Sequence, residues 1–172
     1  MALHNKKDNR IRKTAVMGLF LALALICSYI ETLIPFHIGI PGVKLGLTNI
    51  VIVWALYLLG TKEALAISVM RIVLSGMMFG NAFSIAYSLA GGLLSFIVMV
   101  LLKKTGRFKC ISVSIAGGIF HNIGQLLVAA AIVQNLSVFY YIPVLFISGT
   151  ITGLVIGVIS QELILRVKFR FR

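Results

Sequence analysis

The chain has 172 residues, 60% of them hydrophobic and 12% charged, and its mean hydropathy is +1.07. A water-soluble domain of this length has too little interior for so much apolar surface, so the composition predicts an all-α integral membrane protein. The formal charge of +12 does not point to nucleic acid, because the basic residues sit in short clusters beside apolar runs, where cytoplasmic segments meet anionic lipid.

Residues 1–13 read as a basic cytoplasmic lead with Lys6, Lys7, Arg10, Arg12 and Lys13, residues 14–167 as a single transmembrane domain, and 168–172 as a basic cytoplasmic tail. The first apolar run, 14–33, is too long for a signal-peptide core and reads as a retained span. Thr14, Gly18 and Ala22 recur every four residues on it, a smooth stripe on which another helix or a partner subunit could pack closely. Between Glu31 and Gly46 two prolines and three glycines forbid a continuous helix. The apolar residues among them predict a lid or re-entrant cap rather than a solvated linker. Its ionisable groups are Glu31, His37 and Lys44; Glu31 with Lys44 reads either as an interfacial ion pair or as ligand contacts.

The next two apolar runs, 45–59 and 63–78, are short. Each covers about 22 Å, against a hydrocarbon core of ~30 Å. They are two short spans joined at 60–63, or one dipping hairpin, and the downstream topology is the same either way. Arg71 lies inside the second run with Ser68 and Ser75 on its face. A guanidinium within a span costs at least ~2.5 kcal/mol and needs a partner. That partner is either a structural one, with Glu31 the nearest acidic candidate, or a carboxylate or phosphate of a ligand held by the guanidinium fork.

A short turn containing Asn81 leads to a fourth run, 82–102, and the basic loop 103–109 follows. The fifth run, 112–133, carries Gly117, Gly118, His121, Asn122, Gly124 and Gln125. On a helix His121, Asn122 and Gln125 share one face, and polar groups at mid-span should look into the bundle. They are either interhelical hydrogen-bonding glue or the floor of a small-molecule site. The loop 134–141 has no charge and ends in Tyr140 and Tyr141, as an outer aromatic belt would. The sixth run, 142–165, carries Gly149, Gly153 and Gly157, and Glu162 near its end beside the basic tail. Fourteen of the sixteen Lys and Arg residues fall in the lead, Lys62, the loop 103–109 and the tail, with Lys44 and Arg71 the exceptions. That distribution predicts six spans with both termini cytoplasmic.

Cys27 and Cys110 are isolated and predict neither a disulfide nor a metal site. No catalytic set and no cofactor motif is legible. A lone His121 without a positioned carboxylate is weak ground for acid–base catalysis, and no Walker A loop is present.

Three motifs together carry a resemblance: Pro41-Gly42-Val43-Lys44-Leu45-Gly46-Leu47-Thr48-Asn49; Arg71 with Phe79-Gly80-Asn81 and Ser88-Leu89-Ala90-Gly91-Gly92; and Gly117-Gly118 with His121-Asn122-Ile123-Gly124-Gln125. Over essentially its whole length the chain resembles a family of small bacterial membrane proteins known both as Gx transporters and as heptaprenyl diphosphate synthase component I. Span number and the long first loop are similar to the substrate-binding S components of energy-coupling-factor (ECF) transporters. That resemblance implies a six-helix bundle of S-component type in the bacterial inner membrane. The first loop would cap a pocket, and the Thr14, Gly18 and Ala22 stripe would dock on a coupling subunit powered by separate ATPases. The synthase label can be weighed on residues. Prenyl elongation needs aspartate-rich clusters for magnesium and diphosphate, whereas this chain holds four acidic residues, Asp8, Glu31, Glu63 and Glu162, well apart.

The reading expected from the sequence is therefore a non-enzymatic, substrate-capturing transporter subunit for a small anionic, vitamin-like or isoprenoid-like molecule. Lys44 and Arg71 would hold negative charge, Asn49, Asn81, His121, Asn122 and Gln125 would supply hydrogen bonds, Glu31 would complete the polar set, and Phe36 would pack on an apolar part. The alternative is a non-catalytic membrane accessory protein for prenyl diphosphate or quinone biosynthesis or electron transfer, partnered by a prenyl synthase catalytic subunit.

Overall fold

The computed structural model describes residues 2–33 and 46–167, with side chains from residue 10 onward. Among the described residues the chain is all α: α1 (Ala2–Leu33), α2 (Leu47–Leu58), α3 (Thr61–Phe79), α4 (Ala82–Lys104), α5 (Cys110–Val133) and α6 (Ile142–Arg166), with a 3₁₀ segment, Leu136–Tyr141, before α6. The basic lead and the first span form one helix, since no glycine or proline interrupts residues 2–13. Four segments are long and apolar enough to cross a bilayer: Arg10–Leu33, Ala82–Lys104, Cys110–Val133 and Leu136–Arg166. Most of their surface faces outward, with Ile26, Ile97, Leu127 and Ile151 among the exposed side chains, as lipid contact requires. The chain is thus a membrane protein by the length and apolar character of its helices.

The α2–α3 pair is different. At twelve residues α2 is about 18 Å long and cannot cross the ~30 Å core alone, while α3 carries Lys62, Glu63 and Arg71. The two are joined by a tight turn at Leu59 and Gly60.

The helices close a ring in which α1 packs on α2 and α3, α3 on α4, α4 on α5, α5 on α6, and α6 back on α2. Its apolar core draws Phe20 from α1, Val53 and Leu56 from α2, Ile67 from α3, Phe96 from α4, Val113 from α5 and Ile156 from α6. Two glycine seams bring α4, α5 and α6 together. A Cβ added at Gly118 would stand 2.3 Å from the Gly149 carbonyl oxygen, and one at Gly153 or Gly157 would meet the α5 backbone at Ile115 or Ile111. On the other side of α5, a Cβ at Gly124 would stand 2.7 Å from the Ala90 carbonyl oxygen on α4. With no hydrophobic drive between helices in lipid, such close approach is what holds them together.

The basic turns are tied by polar contacts at the ends of the helices. The Lys13 ammonium pairs with the Glu63 carboxylate. Lys103 donates to the Leu56 carbonyl at 2.5 Å and lies over the Tyr57 ring. Glu162 pairs within its own helix with Arg166 at 3.4 Å.

Candidate functional site

The polar residues singled out in the sequence fall into two groups, positioned by different helices. The first lies where α1, α2 and α3 meet. Gly46, at the N-terminus of α2, adopts a left-handed φ of 73° and offers no side-chain cap. A Cβ there would also stand 2.8 Å from Cδ1 of Ile156. The start of α2 therefore lies beside a point fourteen residues into α6 (142 to 156), about 21 Å along that helix. Its free N–H groups, buried there, need an acceptor from elsewhere.

Glu31 supplies it. Its Oε1 accepts from the Leu47 N–H at 2.7 Å and its Oε2 from the Thr48 hydroxyl at 3.1 Å. The Thr48 and Ser28 hydroxyls are 3.0 Å apart and hydrogen-bonded. A carboxylate at this end is also favoured by the helix dipole. Glu31 is thereby committed to α2, and its described hydrogen bonds do not include one to Arg71. Lys44, Phe36 and His37 lie outside the described residues.

Arg71 sits at the middle of α3, 9% exposed. Its described hydrogen bond runs from Nη2 to Oδ1 of Asn49, at 3.4 Å the long end of the useful range. Its Nε is buried with no hydrogen-bond partner among the described residues. The described contact of Arg71 is with a neutral amide, which leaves guanidinium donors available.

The second group is on α5, and there the single polar face of the sequence reading is split between two neighbours. Asn122 turns to α6, where its Nδ2 donates to the Leu145 carbonyl at 2.8 Å and to the Ser148 hydroxyl at 3.2 Å. Gln125, 2% exposed, packs against Gly91 of α4, where His121 also lies: a Cβ on Gly91 would stand 2.7 Å from Cγ of Gln125 and 3.2 Å from Cε1 of His121. The described hydrogen bonds of Glu31, Asn49 and Arg71 stay within α1–α3, while those of Asn122 run to α6. Asn122 thus acts as interhelical glue.

Asn81 has a local task. It caps α4 by accepting from the Ser84 N–H at 2.8 Å, while its own N–H donates to the Ser84 hydroxyl at 3.0 Å. The stripe of Thr14, Gly18 and Ala22 is exposed, with open space where a Cβ on Gly18 would go.

Sequence reasoning gave no role to Ser28, Thr48 or Lys103. One signal was present: a helix that starts on glycine, with no Ser, Thr, Asp or Asn at its cap, must take an acceptor from another element. Chemically the α1–α3 group is a buried cation and an amide beside a helix N-terminus capped by a carboxylate. No group of three or more His, Cys, Asp and Glu that could hold a metal occurs among the described residues.

No curated protein and no solved structure matches the sequence. A family model described as heptaprenyl diphosphate synthase component I matches residues 20–163, from within α1 to within α6. The chain belongs to the heptaprenyl diphosphate synthase component I family.

Proposed function

We propose that the chain is the non-catalytic membrane component of a prenyl diphosphate synthase system, working with a separate catalytic subunit. The observation that carries this reading is the family match over a bundle built for a bilayer. With four dispersed acidic residues the chain offers no aspartate-rich metal clusters, so elongation is assigned to the partner. In this reading the chain sits in the bacterial inner membrane, with α2 and α3 forming a sixfold crossing together with the four long spans. Both termini and the basic turns face the cytoplasm, where a soluble enzyme can meet them. Co-expression with a prenyl diphosphate synthase catalytic subunit tests it. The subunit is expected to co-purify from membranes and to release more long-chain product there. A catalytic subunit that stays soluble and equally active with or without this chain refutes the reading.

A second reading is favoured by one specific observation, the buried and under-partnered Arg71. In it the chain captures a small anionic molecule as an S-component-like transporter subunit. Arg71 and Asn49 make the contacts, and the Thr14, Gly18 and Ala22 stripe docks an ECF coupling subunit and its ATPases. Native mass spectrometry in mild detergent should then show a co-purified small molecule that is missing from Arg71→Ala. A clean mass for both proteins would leave the first reading alone.

A further inference from the structure

We infer that the α1–α3 polar group is a binding site for one monoanionic group, a carboxylate or a phosphodiester, held by Arg71 and Asn49 at the N-terminal end of α2. The inference deepens the ligand-capture reading and rests on it.

Three observations carry it. Arg71 is nine-tenths buried, its Nε has no hydrogen-bond partner among the described residues, and its contact with Asn49 is long. A guanidinium has five N–H donors, and a buried charge left this far short of partners is unfavourable. Glu31, the neighbouring acid, has its described hydrogen bonds to the Leu47 N–H and the Thr48 hydroxyl and none to Arg71. Asn49 stands in the first turn of α2 with its side chain already at the guanidinium. A small rotation lets its amide donate to an incoming oxygen while Nε and Nη2 of Arg71 present a side-on fork.

The charge balance selects the ligand. Arg71 contributes one positive charge, Glu31 one negative, and the N-terminus of α2 about +0.5. One bound negative charge leaves a residue of about −0.5, while two would leave about −1.5 in a low-dielectric interior, where surplus charge is heavily penalised. Summed over these described groups the empty site carries about +0.5, and of two anions the singly charged one is penalised less than a diphosphate.

Binding can be measured on the full chain in neutral detergent by scanning fluorimetry with three probes. They are benzoate (a free carboxylate), short-chain phosphatidylglycerol (a lipid phosphodiester) and geranyl diphosphate. The expected result is a saturable rise in melting temperature with at least one monoanion, with geranyl diphosphate binding about tenfold or more weakly. The better of the two monoanions identifies the source as a free small molecule or a lipid headgroup. Arg71→Gln should weaken that binding about tenfold or more, with Arg71→Lys in between. If Arg71→Gln does not accumulate, Asn49→Ala takes its place and should weaken the monoanion severalfold. Binding unchanged in the variants overturns the assignment of the site. Tighter, Arg71-dependent binding of geranyl diphosphate overturns the monoanion inference and leaves ligand capture standing. No binding of any probe overturns both.

Discussion

Glu31 and Lys103 stand at opposite ends of one short helix. Glu31 accepts from the first N–H of α2, and Lys103 donates to the carbonyl of Leu56 near its last turn. Each charge has the sign that the helix dipole favours at that end. Because Gly46 provides no side-chain cap, Glu31→Ala should cost about 1–2 kcal/mol, the usual loss for a helix cap. Glu31→Gln, which keeps an acceptor and loses only the charge, should cost less. Thermal unfolding in detergent checks the order of the two variants. The residue types were legible in the sequence, and their partners were not. Glu31 could be matched to Lys44 or Arg71 only by expected depth in the membrane, because the partner it takes is a backbone N–H whose position depends on where α2 begins. Arg71 was legible as a costly buried charge because that follows from its chemistry alone, whatever surrounds it.

At the scale of helices, the glycine seams and the open stripe on α1 make opposite predictions from the same residue type. A Cβ at Gly118 would collide with the Gly149 carbonyl on a helix that is itself pinned at Gly153 and Gly157. Gly118→Ala should therefore separate α5 from α6, costing about 1–3 kcal/mol or more through overpacking and reducing the yield of folded protein. A Cβ added at the exposed Gly18 meets nothing within 4 Å, so for Gly18→Leu stability should stay within about 0.5 kcal/mol. Size-exclusion yield and melting temperature distinguish the two. Loss of a co-purifying partner in Gly18→Leu alone would mark the stripe as a docking face. The sequence showed the fourfold spacing on α1 and α6 equally clearly. It could not show that the α6 series is already filled by α5 of the same chain while the α1 series is open. The split of His121, Asn122 and Gln125 has the same origin. Glycines on both sides of α5 let two helices approach so closely that one polar sector is shared between them.

For the whole molecule, the apolar runs of the sequence became helices with nearly the expected bounds, because burial in lipid and backbone satisfaction leave little choice. The basic lead departs from expectation by continuing α1 without a break. The basic residues that follow α4 and those at the α2–α3 turn gather with Lys13 at one end of the bundle, as the Lys13–Glu63 and Lys103–Leu56 contacts require. Reporter fusions should accordingly place residue 1, residue 106 and residue 172 on the same side of the membrane and residue 135 on the other. A reporter at 106 on the side opposite the N-terminus would refute the six-crossing arrangement and the cytoplasmic placement of the partner.

The two-ended support of α2 also sets an order of events during synthesis. Glu31 precedes α2 in the chain, but Lys103 follows it by forty-five residues (103 minus 58) and arrives only when α4 is complete. A ribosome-bound chain that ends before α4 thus exposes a helix too short to cross and lacking its C-terminal cation. The α2–α3 pair should remain accessible to water-soluble thiol reagents at this stage, tested with a cysteine placed at Leu58, and become protected once α4 has entered the bilayer. Protection already present in chains truncated at residue 81 would show that α2 inserts unaided. Otherwise the first half of this protein waits for the second to seat it.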